Sequence, residues 1–147
     1  MARLPRSVLF VCNLNRVRSP MAAGLARKLY GPAMTVESCG LEPRGEIDPM
    51  VVAVMQEIGI DLVDHRLRDF TDVPLASFDL VIALTDEAGS AVRTAGAATA
   101  TPVEVWLTED PTAGEGSREM RLEAYRMTRR ALEARIVDRF GPPAEWE

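Results

Sequence analysis

Only two cysteines and one histidine stand in the 147 residues: Cys12, Cys39 and His65. Three such ligands at distant positions are a poor basis for a structural zinc site, so no metal is expected. Two cysteines cannot build a disulfide scaffold, and a reducing cytoplasm is the expected compartment. Long apolar runs are missing as well. Nothing reaches the roughly 18 residues a membrane span needs, and no membrane partner is expected. The N-terminal run Val8-Leu9-Phe10-Val11 is too short for a signal-peptide core and reads as a buried strand. Lysine is nearly absent, since Lys28 stands alone among 17 basic residues. The net charge of -5 argues against bulk nucleic-acid binding, so no nucleic-acid partner is expected.

What remains is ordinary for a globular domain: 47% hydrophobic, 27% charged and 5% aromatic residues. A chain of this length fits one domain, residues 1–147, and can bury about two-thirds of its unfolded surface. No repeat, linker or low-complexity tract interrupts it. Apolar strands are expected at 7–11, 34–39, 79–84 and 102–107. Helices are expected from Ser19-Pro20 to Tyr30, from Met50 to Ile58 behind an Asp48-Pro49 cap with Gly59 closing it, and from Thr85-Asp86 to about Ala97. A last helix opens at Ser117, with Leu122, Tyr125, Leu132, Ile136 and Phe140 at helical spacing and Gly141-Pro142-Pro143 behind it. Alternation of this kind predicts an α/β fold, a parallel sheet with helices on both faces. Ligands in such sheets sit beyond the carboxyl ends of the strands, at a topological switch point.

The first strand runs straight into Cys12-Asn13-Leu14-Asn15-Arg16-Val17-Arg18-Ser19-Pro20. A loop between a strand end and a helix start turns backbone N–H groups inward, and with the helix dipole they form an anion cradle over residues 13–19. Arg18 can take two oxygens of a tetrahedral oxyanion. A cysteine between a helix N-terminus and an arginine is favoured as thiolate. Ser19 is placed to donate a hydrogen bond to it. A cradle that holds a nucleophilic sulfur suits phosphoryl transfer through a cysteinyl-phosphate. Cys-x5-Arg alone arises by accident in about one such composition in five; a following Ser cuts that to about one in a hundred. Asp110 follows the fourth strand and so lies at the same end of the sheet, with Pro111 restricting its backbone. It can serve as an acid, or it can be only a turn start.

These residues resemble the low-molecular-weight protein tyrosine phosphatase family, whose fold also serves thioredoxin-coupled arsenate reductases. The resemblance runs through Val8-Leu-Phe-Val-Cys12, Asn15, Arg18-Ser19-Pro20-Met21-Ala22, Ser38, Asp48-Pro49, Gly59-Ile60-Asp61, His65, Phe78-Asp79 and Asp110-Pro111. It implies a single-domain, four-stranded parallel sheet in the order 2-1-3-4 and no cofactor. It also implies roles. Cys12 is the nucleophile, Arg18 the phosphate clamp, and Asp110 the acid that protonates the leaving group and later activates water. Asn13, Leu14, Asn15, Arg16, Val17, Arg18 and Ser19 cradle the substrate phosphate; Asn15, Ser19, Ser38 and His65 hold the loop in shape. The implied partners are a phosphorylated protein or small phosphomonoester and inorganic phosphate or another oxyanion.

Three positions depart from the family pattern. Leu14 stands where glycine is usual, and a left-handed backbone there would cost about 1–2 kcal/mol. Val17 replaces a second loop cysteine. Thr112 replaces the aromatic that usually follows Asp-Pro, and Leu41-Glu-Pro-Arg44 adds no aromatic wall. Two other functions fit the same cradle: arsenate reduction with an external thiol, and oxyanion binding without turnover. Cys39 reads as a core residue of strand two, with a redox pairing to Cys12 as the alternative. Trp106 reads as core or pocket wall, and the charges from Arg118 to Arg135 as a solvated helix face.

Overall fold

The computed structural model describes residues 4–143. Four strands form one parallel sheet: β1 (Ser7–Cys12), β2 (Thr35–Gly40), β3 (Leu80–Ala83) and β4 (Val103–Val105), in the order β2-β1-β3-β4. The helices are α1 (Arg18–Tyr30), α2 (Pro49–Gln56), α3 (Asp86–Gly96) and α4 (Arg118–Phe140). The α/β class and the strand order are those the sequence and the family resemblance imply.

Side chains on β1 alternate between two cores, as strand geometry requires. Val8, Phe10 and Cys12 face α1, α2 and α4, in one cluster with Met21, Leu25, Val51, Met55, Leu132 and Ile136. Leu9 and Val11 face the other way, with Cys39, Val81, Ala83, Ala88 and Val92. Strand β1 is therefore covered on both faces and apolar throughout. All five apolar positions noted on α4 are buried, and Trp106 packs edge-on against Phe10 as a core residue.

Caps set the helix starts where expected. Asp48 accepts from the Met50 N–H at 2.8 Å, and Thr85 and Ser117 cap α3 and α4. Helix α2 ends at Gln56, two residues before the expected stop, and Gly59 takes the left-handed turn at φ 80°. Strand β4 is only three residues long. Residues 60–78, which carry no periodic pattern, form an irregular crossover with 3-10 turns at Phe70–Asp72 and Leu75–Ser77. Arg129 departs from the expected solvated face. It is buried and donates to the Val54 carbonyl at 2.5 Å and to Glu57 at 2.8 Å, so one charge of α4 ties α2 to the core. Among the described residues no helix is long and apolar enough to cross a membrane.

Candidate active site

Strand β1 has β2 on one side and β3 on the other, so the crevice between diverging connections opens at Cys12. The chain leaves β1 there, turns through residues 13–17 and enters α1. Val17 occupies the N-cap of α1 and supplies no side-chain cap, so the first N–H groups of the helix stay open toward the loop.

The thiol is 2% exposed and sits at the base of that turn. Cys12 Sγ lies 2.9 Å from Ser19 Oγ and accepts from the Asn15 N–H at 3.3 Å. The Ser19 hydroxyl has one proton and two acceptors within reach: Cys12 Sγ and the Cys39 carbonyl at 3.3 Å. A negative sulfur draws that proton.

Asn15 is the hub beneath the loop. Its Nδ2 donates to Ser19 Oγ at 2.8 Å and to Ser38 Oγ at 3.0 Å; its Oδ1 accepts from the Arg68 N–H at 3.0 Å. Its carbonyl accepts from His65 Nε2 at 3.2 Å. Asn15 carries the left-handed φ of 59°, a conformation asparagine tolerates. Leu14 does not have a positive φ, so the strain considered at that position is absent; its side chain is 40% exposed at the mouth of the site. Burial lowers the pKa of His65, the Asn15 carbonyl opposes this, and Arg27 adds to it; the net shift is downward. His65 is therefore held neutral against the loop.

Two anchors were not legible in the sequence. Thr85 Oγ1 donates to Asn13 Oδ1 at 2.8 Å while capping α3, which ties the loop to that helix. Gly40 lies directly under the loop, where a Cβ would meet Asn15 N at 2.7 Å, Leu14 C at 2.8 Å and Asn13 O at 2.9 Å.

Arg18, on the first turn of α1, donates through Nη1 to the Thr108 carbonyl at 3.1 Å. Asp110 faces the same slot as Cys12 and Arg18, a cavity of about 290 Å³. Its Oδ1 accepts from the Thr112 N–H at 2.9 Å and hydroxyl at 2.7 Å. Burial pushes the Asp110 carboxyl up, but the Thr112 bonds and the charge of Arg18 outweigh it and bring its pKa below the usual value. Arg16 and Val17 line this slot too; Arg16 Nε donates to the Glu46 carbonyl at 2.6 Å.

Cys39 stays apart. Register pairs Cys12 with Gly40 and Cys39 with Val11, so the two thiols belong to opposite faces of the sheet and cannot pair. Burial first, then the charge of Cys12, pushes the Cys39 thiol up to about 12.

The family described as low molecular weight phosphotyrosine protein phosphatase matches residues 7–136. The chain is 32% identical over 133 residues to an arsenate reductase of Halalkalibacterium halodurans, covering 88% of this chain and 91% of that one. It is 33% identical over 132 residues to a glutaredoxin arsenate reductase of Synechocystis, covering 89% and 93%. A tyrosine phosphatase of Erwinia amylovora shares the fold with a TM-score of 0.75 at 21% identity, over 93% of this chain and 94% of that one.

Proposed function

The chain belongs to the low molecular weight phosphotyrosine protein phosphatase family, and from that premise we propose that it hydrolyses phosphomonoesters through a cysteinyl-phosphate on Cys12. The observation that carries this reading is a sulfur with an N–H and a hydroxyl aimed at it, facing an arginine and a carboxyl across one small slot.

The phosphoryl group enters with its equatorial oxygens on the loop N–H groups and Arg18. Cys12 Sγ attacks phosphorus in line; the S–P bond forms as the P–O bond to the leaving group breaks. Asp110 gives its proton to the departing oxygen, a contribution typically worth 10²–10⁴-fold. The Asp110 carboxylate then takes a proton from water, whose oxygen attacks phosphorus. The S–P bond breaks and inorganic phosphate leaves. Ser19 and Asn15 stabilise the sulfur as it departs, while Ser38, His65 and the Arg68 backbone fix Asn15.

A second reading is favoured by the arsenate reductase names of its relatives. Arsenate fits a phosphate cradle. Attack by Cys12 would displace hydroxide from arsenic(V). An external thiol would then attack Cys12 Sγ, leaving a mixed disulfide and arsenite, with arsenic reduced by two electrons. A second external thiol would restore Cys12. With Cys39 on the far face, both reducing thiols would come from outside the chain.

One experiment separates the readings. Hydrolysis of p-nitrophenyl phosphate is measured without metal for wild type, Cys12→Ser and Asp110→Asn, beside arsenite production with glutathione and glutaredoxin. Hydrolysis lost in Cys12→Ser and strongly reduced in Asp110→Asn supports the phosphatase. Arsenite production without hydrolysis establishes the reductase instead. Phosphate binding with neither activity refutes both and leaves an oxyanion-binding module.

A further inference from the structure

The slot above Cys12 carries two more arginines than the phosphoryl chemistry uses. Arg16 reaches it from the cradle loop and Arg121 from the second turn of α4. Neither enters any of the ion pairs formed among the described residues, although Arg126, Arg129, Arg130 and Arg139 on the same helix α4 all do. Arg16 spends only Nε on the Glu46 carbonyl, and Arg121 makes one long contact from Nη2 to Met50 Sδ at 3.9 Å. Among the described residues, the remaining guanidinium N–H groups make no hydrogen bond.

The carboxylates beside them are committed elsewhere. Asp48 accepts from the Met50 N–H and, at 2.7 Å, from the Tyr125 hydroxyl, so it closes the wall between α2 and α4. Asp110 is needed for proton transfer. On the other side of Leu14 the mouth changes sign: a neighbouring cavity of about 410 Å³ is lined by Glu42 and Glu87. Leu14, Arg18 and Asp110 line both cavities; Arg16 and Arg121 line only the one that contains Cys12, and Glu42 and Glu87 only the other.

Among the described residues, Tyr125 is the one aromatic that lines this slot. Thr112 stands beside Asp110, and the ring of Tyr125 is buried with its hydroxyl bonded to Asp48. That leaves a flat phenyl leaving group little exposed ring to stack on.

We propose that the slot selects phosphomonoesters whose leaving group carries a second oxyanion, a carboxylate or another phosphate, held by Arg16 and Arg121. This rests on the phosphatase reading and names its substrate class. The anion enters on the arginine side, away from Glu42 and Glu87, with its phosphoryl group on Arg18. In a chain of net charge -5, this is a local cationic patch placed where the leaving group must lie.

The test compares kcat/KM for 3- and 4-carboxyphenyl phosphate, benzene-1,4-diyl bisphosphate and the neutral 4-carbamoylphenyl phosphate at low ionic strength. The carboxylate at its better position, or the bisphosphate, is expected to exceed the carboxamide by about tenfold, the scale of two partly exposed ion pairs. Which of the two wins identifies the oxyanion. The preference should fall toward unity in half-molar salt and in Arg121→Gln, and invert in Arg121→Glu; Arg16→Gln should lower it further if the variant melts like wild type. Equal rates on all probes, or a preference that survives in Arg121→Gln and Arg121→Glu, overturns the inference and leaves the phosphatase standing. No hydrolysis of any probe removes the phosphatase reading and this inference with it.

Discussion

Replacing Gly40 by alanine should disable the site without touching a functional side chain. The new Cβ would lie 2.7–2.9 Å from three atoms, Asn15 N, Leu14 C and Asn13 O. Ordinary contact begins near 3.4 Å, so the overlap is about 0.5–0.7 Å. All three atoms are backbone and cannot rotate away, and β2 is locked by its register with β1 and by the Gly40 N–H to the Arg68 carbonyl at 2.9 Å. The loop must lift. Overpacking of this kind costs about 1–3 kcal/mol. The same lift stretches and weakens the bond from the Asn15 N–H to Cys12 Sγ, now 3.3 Å. Displacements near 1 Å can cost about 10²-fold in rate, so a shift of a little over half that size should cost roughly tenfold or somewhat more. Phosphate affinity by calorimetry, kcat/KM on p-nitrophenyl phosphate and urea melts would be measured together. Gly96→Ala is the control, because its Cβ meets only Thr99 Oγ1, at 3.9 Å. Gly40→Ala with affinity and kcat/KM within threefold of wild type would refute the reasoning.

Asn15→Ala removes three side-chain hydrogen bonds, two of them buried, and leaves a positive φ on alanine, so urea melts should show a loss of about 3 kcal/mol. Thr112→Val removes the hydroxyl that helps keep Asp110 ionised; the Asp110 pKa should rise, and the alkaline limb of the kcat/KM–pH profile should move to higher pH. His65 has its pKa lowered by burial, so the unfolded chain takes up this proton first as pH falls below about 6.5. Its contribution to stability is then lost progressively until the folded-state pKa is passed, and His65→Gln should flatten the fall of urea midpoints as pH drops below about 6.5. Asp110→Asn should lower kcat on p-nitrophenyl phosphate by about 10²-fold or more while phosphate affinity holds, as stopped-flow and calorimetry would show.

The parts of this molecule that depend on adjacent residues were readable from the chain. Strand β1, the loop after Cys12, the Asp48, Thr85 and Ser117 caps and the buried stripe of α4 all follow from local pattern and short spacing. Residues 60–78 resisted because their order comes from side-chain turns, such as Asp69 Oδ1 to the Thr71 N–H, rather than from periodicity. Gly40 stands just past the strand expected at 34–39; only the packed sheet shows that it is a floor. The facing of Cys39 turned on register, since pairing Cys12 with Gly40 forces Cys39 onto the side of Val11. Arg68 enters through its backbone, which no residue-type signal can reveal. Arg129 carried the composition of a surface charge and lies in the core, because Glu57 and the Val54 carbonyl meet it there.

The separation of Cys12 and Cys39 on opposite faces also fixes the fate of the site under oxidative stress. A peroxide that reaches Cys12 makes a sulfenic acid, which condensation with a nearby thiol would trap in a reversible state. Cys39 is across the sheet and pushed up to about 12 by burial and by the charge of Cys12, and the loop has Val17 rather than another sulfur. Recovery through a disulfide therefore depends on thiols supplied from outside the chain. Where such thiols are depleted, the next equivalent of peroxide carries Cys12 on to the sulfinic acid, and the loss is permanent.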